Sequence, residues 1–203
     1  MKRKANTKAV ESFRTPAEDI GPIEPGMSVF CITRGQWSMI DAVLHTLEYV
    51  HAANLSIWTW HVAVSNVDVL QTLICSNRVE HATLILDNTR DSRNNATGPL
   101  WRERFGNNSV RICHNHAKMV RVWNDKFRVL LRGSCNMNRN PRFEQLDITE
   151  GDESFDLVAQ IEAELPILPP KYSHAEVDRA TGVGRAWEYN QLEMFRGLKK
   201  WQK

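Results

Sequence analysis

His116-Ala117-Lys118 and, one strand-turn-strand later, Gly133-Ser134-Cys135-Asn136 bring an imidazole, an ammonium, a hydroxyl and a carboxamide into one short stretch of chain. Together they offer a nucleophile or proton donor beside hydrogen-bond donors and a positive charge, the inventory a phosphate ester demands. Alternate side chains of a β-strand share a face, so a strand starting at His116 would aim His116 and Lys118 at a single ligand.

The charge distribution agrees with an anionic ligand. Residues 88–142 carry twelve Arg or Lys against three acids, whereas residues 143–170 hold eight acids and no Lys or Arg, although the whole chain is only +2. Such a basic run beside a phosphate site suits a polyanion, and its null alternative is a solvated surface of ordinary ion pairs. Arg121, Arg132 and Arg139 are the candidate substrate-binding side chains in it. No apolar run reaches the roughly 20 residues of a membrane span, and the basic start MKRKANTK lacks a following apolar stretch, which points to a cytoplasmic protein acting away from membranes. Cys31, Cys75, Cys113 and Cys135 are scattered rather than set out as a small disulfide framework, so reduced thiols are expected.

Three segments are expected to position this chemistry. Residues 1–26, basic and containing Pro16, Pro22 and Pro25, read as a flexible arm. Residues 27–166 read as the catalytic domain. MSVFCIT, LSIWTWHV and ATLILD are strand-like, and helical periodicity lies between them over about 37–50 and 67–79, an alternation that predicts an α/β fold with parallel strands. A polar, Arg-rich loop over 88–106 follows, then the strands VRICHN, HAKMVRVW and KFRVLLRG, with Asn124-Asp125 as a tight turn. A further strand at 144–148 and an amphipathic helix over about 154–165 complete the domain. Residues 167–203, with seven Lys or Arg against four acids in 171–203, read as a small, basic helical tail.

The element order and the residues His116, Lys118, Gly133, Ser134 and Asn136 resemble the phospholipase D superfamily, whose signature is H-x-K, four residues, D, then G-S-x-N; the resemblance spans about 27–165. Glu144 falls where the single-motif nucleases of that superfamily place an acid. With one motif per chain, the protein looks most similar to the small endonucleases in which two subunits share a site. The resemblance implies a mixed, largely parallel sheet flanked by helices, a symmetric homodimer, and a nuclease for DNA or RNA that uses no metal or other cofactor. His116 would attack phosphorus, and the partner subunit's His116 would protonate the leaving oxygen. Lys118 and Asn136 would hold the nonbridging oxygens, Ser134 would add a hydrogen bond, and Glu144 would orient His116. The sequence departs from the signature at Trp123, where the family has Asp. The nearest acid is Asp125, two residues later, which keeps the parity of that signature position. The tyrosyl-DNA phosphodiesterase branch also lacks that Asp.

Other readings attach to the same residues. A nucleic-acid-binding relative that keeps the phosphate cradle without cleaving is the alternative function, with phospholipid hydrolysis as the weaker enzymatic one. Cys113-His114-Asn115-His116 holds zinc-ligand types but lacks the second ligand pair a structural zinc site needs. His114 shares the parity of His116 and suits a strand-end solvent position. Trp58, Trp60 and Trp123 could stack on bases, core packing being the ordinary role of Trp58. Residues 175–187 resemble part of a helix-turn-helix.

Overall fold

A computed structural model of the chain describes residues 6–12, 14–87, 92–138, 141–167 and 173–181; of residues 12, 92–96 and 174 it describes the backbone alone. The elements are β1 (Asn6–Ser12), α1 (Pro16–Ile20), β2 (Met27–Arg34), α2 (Met39–Thr46), β3 (Ala53–Thr59), α3 (Val64–Cys75), β4 (Val79–Asp87), α4 (Ser92–Phe105), β5 (Val110–Cys113), β6 (Met119–Trp123), β7 (Arg128–Gly133), β8 (Phe143–Glu150), α5 (Glu153–Glu164) and α6 (His174–Thr181).

The strands form an eight-stranded mixed sheet in the order β1-β2-β8-β7-β6-β3-β4-β5. The β1–β2, β3–β4 and β4–β5 pairings are parallel, and the other four of the seven are antiparallel. The expectation of a largely parallel sheet is therefore overturned. The hairpin β6–β7 and the returning β8 insert between the two parallel blocks, so antiparallel ladders occupy the centre. Asn124 makes that hairpin, its Oδ1 accepting from the backbone N–H groups of Lys126 and Phe127 at 2.9 and 3.0 Å.

Each face of the sheet carries its own core. In β2, Met27, Val29 and Cys31 alternate inward, and with Leu55, Ile57, Val120, Val122, Leu131 and Ile148 they pack against α2 and α3 through Val43, Val67 and Leu70. The opposite face holds a smaller core, Trp58, Ile85, Cys113 and Leu130, covered by Phe155 and Val158 of α5. Helix α5 starts where Asp152 Oδ1 accepts from the Ser154 N–H at 2.9 Å.

Two further expectations fail here. Residues 6–12 and 14–26 are not a flexible arm. Strand β1 pairs in register with β2, and Pro16 opens α1 behind Thr15, which forms a capping box with Glu18. The polar stretch after Asn88 is not simply a loop, because α4 runs through Pro99 and is anchored by the fully buried Trp101, 4.4 Å from the Phe105 ring. The predicted C-terminal tail is described only as α6, whose Val177 is fully buried; the helix-turn-helix resemblance falls mostly on residues outside those described.

Candidate active site

The candidate residues gather at one edge of the sheet, where β3, β4, β5 and β7 end and β6 and β8 begin. The registers Trp58↔Met119, Asp87↔Cys113, Met119↔Arg132 and Gly133↔Leu146 set these ends level. Gly133 is required there. A Cβ on it would lie 2.1 Å from the carbonyl oxygen of Gln145 in β8, a distance no side chain tolerates.

His116 and Lys118 precede β6 rather than opening it, in an irregular segment over 115–118. They still meet. Lys118 Nζ lies 3.2 Å from His116 Nδ1 and donates to the His116 carbonyl at 2.7 Å. His116 is exposed and Lys118 half-buried. Burial lowers the Lys118 pKa from its ordinary value, against the opposing pull of the Glu144 and Asp87 carboxylates. An ammonium donating to Nδ1 places the ring proton of a neutral imidazole on Nε2.

Ser134 and Glu144 face each other across the β7–β8 junction. The Ser134 hydroxyl donates to the Glu144 carboxylate and accepts from the Gln145 N–H at 3.0 Å, while the Ser134 N–H donates to the Gln145 carbonyl at 3.0 Å. Asn136 is half-buried, its Oδ1 3.4 Å from Thr59 Oγ1, whose hydroxyl donates to the His61 carbonyl at 2.7 Å. Asn138 Oδ1 accepts from the Ala63 N–H, and Asn66 Nδ2 donates to the Met137 carbonyl, both at 2.7 Å, so this loop is pinned to the segment after β3. The Trp60 ring lies 6.4 Å from the His116 ring, tilted by 53°.

Three candidate positions lie elsewhere. Asp125 sits in the β6–β7 turn, at the opposite end of β6 from His116, because strand parity fixes a face but not a position along the strand. Arg121 is 7% exposed and ion-paired with Glu162 of α5, its guanidinium 4.4 and 4.3 Å from the Trp123 and Phe155 rings. Trp123 shares that face, so the residue standing in place of the signature Asp packs under α5, its ring 6.1 Å from that of Phe155. Arg132 alternates with Leu131, pointing to the α5 face, 3.9 Å from Asp152. Arg139 lies outside the described residues. Arg128 pairs with Asp156 at 2.5 Å, so three of the twelve basic residues of the run, Arg121, Arg128 and Arg132, are matched against acids of residues 143–170.

His114 pairs through Nε2 with Asp178 of α6 at 2.5 Å. Cys113 is buried, and burial pushes its thiol up to about 12. Trp58 is a core residue whose Nε1 donates to Glu162 at 2.7 Å. Thr59, Asp87 and Asn115 were not singled out from the sequence, although a threonine and an aspartate ending two apolar strands were a readable sign of a polar strand edge.

No family model matches the chain, and no curated protein matches it. Among solved structures it is similar to a polyphosphate kinase from Porphyromonas gingivalis, at 12% identity and a TM-score of 0.48 over 73% of this chain. It is also similar to TrmBL2, described as an archaeal chromatin protein with a novel mode of DNA binding, at 11% identity and a TM-score of 0.42, again over 73% of this chain. The matched region spans 25% of the first protein and 56% of the second. No described helix is long and apolar enough to cross a membrane.

Proposed function

We propose that the protein is a phosphodiesterase of phospholipase D type, a nuclease acting on DNA or RNA through a phosphohistidine, with its site completed by a second copy of the chain. The observation that carries this reading is the approach of Lys118 Nζ to His116 Nδ1 at 3.2 Å, at the edge where Asn136, Ser134 and Glu144 also lie. In the reaction, the Lys118 ammonium turns from the imidazole to a nonbridging phosphate oxygen. The ring proton then moves through water from Nε2 to the vacated Nδ1, and Nε2 forms a bond to phosphorus as the phosphorus–oxygen bond to the leaving group breaks. The partner subunit's His116, as imidazolium, gives its proton to the leaving oxygen. Water next attacks the phosphohistidine, the same imidazole takes the water proton, and the phosphorus–nitrogen bond breaks to restore His116. Lys118 and the Asn136 amide supply the charge and donors that such a transition state requires, with Ser134 held beside them by Glu144.

One observation favours a second reading, a nucleic-acid-binding protein without turnover: Trp123 replaces the signature Asp and is committed to packing against Phe155 and Arg121. A single assay separates the two. Purified protein and His116→Ala are incubated in EDTA with labelled single- and double-stranded DNA, with RNA and with phosphatidylcholine vesicles. Cleavage of nucleic acid that the substitution abolishes supports the nuclease, with acid-trapped phosphohistidine as its direct sign. Salt-sensitive binding without cleavage supports the second reading, and cleavage confined to the vesicles overturns both. Sedimentation showing a fully active monomer removes the shared site.

A further inference from the structure

We propose that Asn115 and Asp87 are positioning residues for this site, bracing the segment that carries His116 and Lys118 so that both side chains address one phosphate. The proposal rests on the phosphodiesterase reading above and adds to it what holds the catalytic pair in place.

The need for a brace follows from the fold. The Lys118 carbonyl still accepts from the Gly133 N–H of β7 at 3.0 Å, but His116 lies outside β6, where strand alternation does not orient it. His116 is exposed, with the tilted Trp60 ring 6.4 Å from its own. The residue before it is the opposite: Asn115 is 3% exposed. A buried carboxamide is costly unless its polar atoms are satisfied. Here each bond it makes constrains a neighbour of His116. The Asn115 N–H donates to Asp87 Oδ2 at 2.8 Å, its Nδ2 donates to the Ile85 carbonyl at 3.4 Å, and its Oδ1 accepts from the Ala117 N–H at 2.8 Å. The last bond is an Asx turn that closes over His116 and sets its backbone dihedrals. The first two tie that turn to β4, whose last residue, Asp87, is itself paired with Cys113 of β5.

From the other side, Lys118 Nζ donates to the His116 carbonyl at 2.7 Å. The peptide that follows His116 is thus held at both its carbonyl and its N–H, and the peptide before Asn115 is tied to Asp87, with the ring left at the surface. Asp87 has a second effect, since its carboxylate joins Glu144 in favouring the charged form of Lys118. A site that must present an exposed imidazole gains its precision from a buried neighbour anchored to a rigid strand.

The test uses the full chain with bis(p-nitrophenyl) phosphate in EDTA. Asn115→Ala is expected to lower kcat about a hundredfold with KM changed less than about threefold, the scale of a displacement near 1 Å. Asn115→Asp keeps the oxygen that accepts from Ala117 and should recover at least about tenfold of that loss, and Asp87→Asn should lose less than Asp87→Ala. Amide exchange at Ala117 should quicken at least about tenfold in Asn115→Ala while the amides of Val120 and Val122 stay protected. The proposal is overturned if Asn115→Ala keeps kcat within about twofold, or if the Ala and Asp variants are equally impaired and core amides quicken with Ala117. If the wild type itself does not turn over, the phosphodiesterase reading fails separately. Inorganic phosphate titrated against the His116 resonances then decides: binding about tenfold weaker in Asn115→Ala supports the brace, and equal binding overturns it.

Discussion

Two clusters in this molecule draw on the same side-chain types and use them in opposite ways. Under α5, the Glu162 carboxylate accepts from Arg121, from Ser56 Oγ and from Trp58 Nε1, and the Arg121 guanidinium sits between the Trp123 and Phe155 rings. The charged side chains there are only 8% and 13% exposed. At the sheet edge, a cation, a carboxylate and a tryptophan recur as Lys118, Glu144 and Trp60, but the histidine beside Lys118 and Trp60 is exposed. The first cluster has its charge neutralised in place, with aromatic faces completing the enclosure of the cation. The second keeps donors and a positive charge at the surface, where a phosphate can take them. Proximity of charged and aromatic residues does not mark a site; what marks one is binding capacity left open to solvent.

The largest effects should separate the clusters cleanly. His116→Ala should reduce cleavage at least about a thousandfold, with the thermal midpoint unchanged because its side chain is exposed. Arg121→Ala should do the reverse. Removing one partner of a buried pair leaves Glu162 uncompensated and costs about 3–5 kcal/mol in a denaturant titration, while the folded fraction keeps wild-type cleavage per molecule. If Arg121→Ala instead weakens nucleic-acid binding at unchanged stability, the comparison breaks and the basic run reaches substrate after all.

Trp123→Asp sharpens the same contrast at the position where the phospholipase D signature has its acid. The carboxylate would enter the α5 face beside Phe155 and displace the Arg121 stack, so a loss of about 2 kcal/mol is expected, with no gain in cleavage. A rise in kcat would show that the signature Asp acts through β6 in this chain too. Ser134→Ala has a smaller expected effect, about tenfold in kcat, because it removes one neutral donor and frees Glu144.

The sequence carried the chemistry further than the geometry. His116, Lys118, Ser134, Asn136 and Glu144 were legible as types at characteristic spacings, and Gly133 is explained by the close approach of β8. Core strands such as β3, buried on both faces, announced themselves as apolar runs. What stayed hidden depends on the third dimension. Strand β1 is mostly exposed and shows no apolar alternation, so nothing in its side chains reveals the ladder that holds it to β2. Helix α4 survives Pro99 because burial of Trp101 outweighs local propensity. Asp125 was placed by parity alone, which says nothing about distance along a strand, and Arg121 and Arg132 were assigned to substrate by charge, before their partners on and beside α5 could be known. The Asx turn at Asn115 looks in sequence like one more letter of a strand.

The smallest effect is the most diagnostic, because activity and stability should respond to pH with opposite signs. Burial depresses the Lys118 pKa below its usual value of 10.5. Cleavage needs the ammonium, so kcat/KM should fall on an alkaline limb that begins below the pH at which a solvated lysine loses its proton. Stability should move the other way. Across the window between the lowered folded value and the ordinary unfolded one, the unfolded chain binds more protons than the folded one, so the Lys118 contribution to stability rises as pH increases. Lys118→Arg, which stays protonated throughout, should abolish both slopes while retaining part of the activity. A parallel fall of activity and stability in the wild type would instead mean that the alkaline limb reports general unfolding, and Lys118 would then belong with Arg121, as a cation whose work is structural.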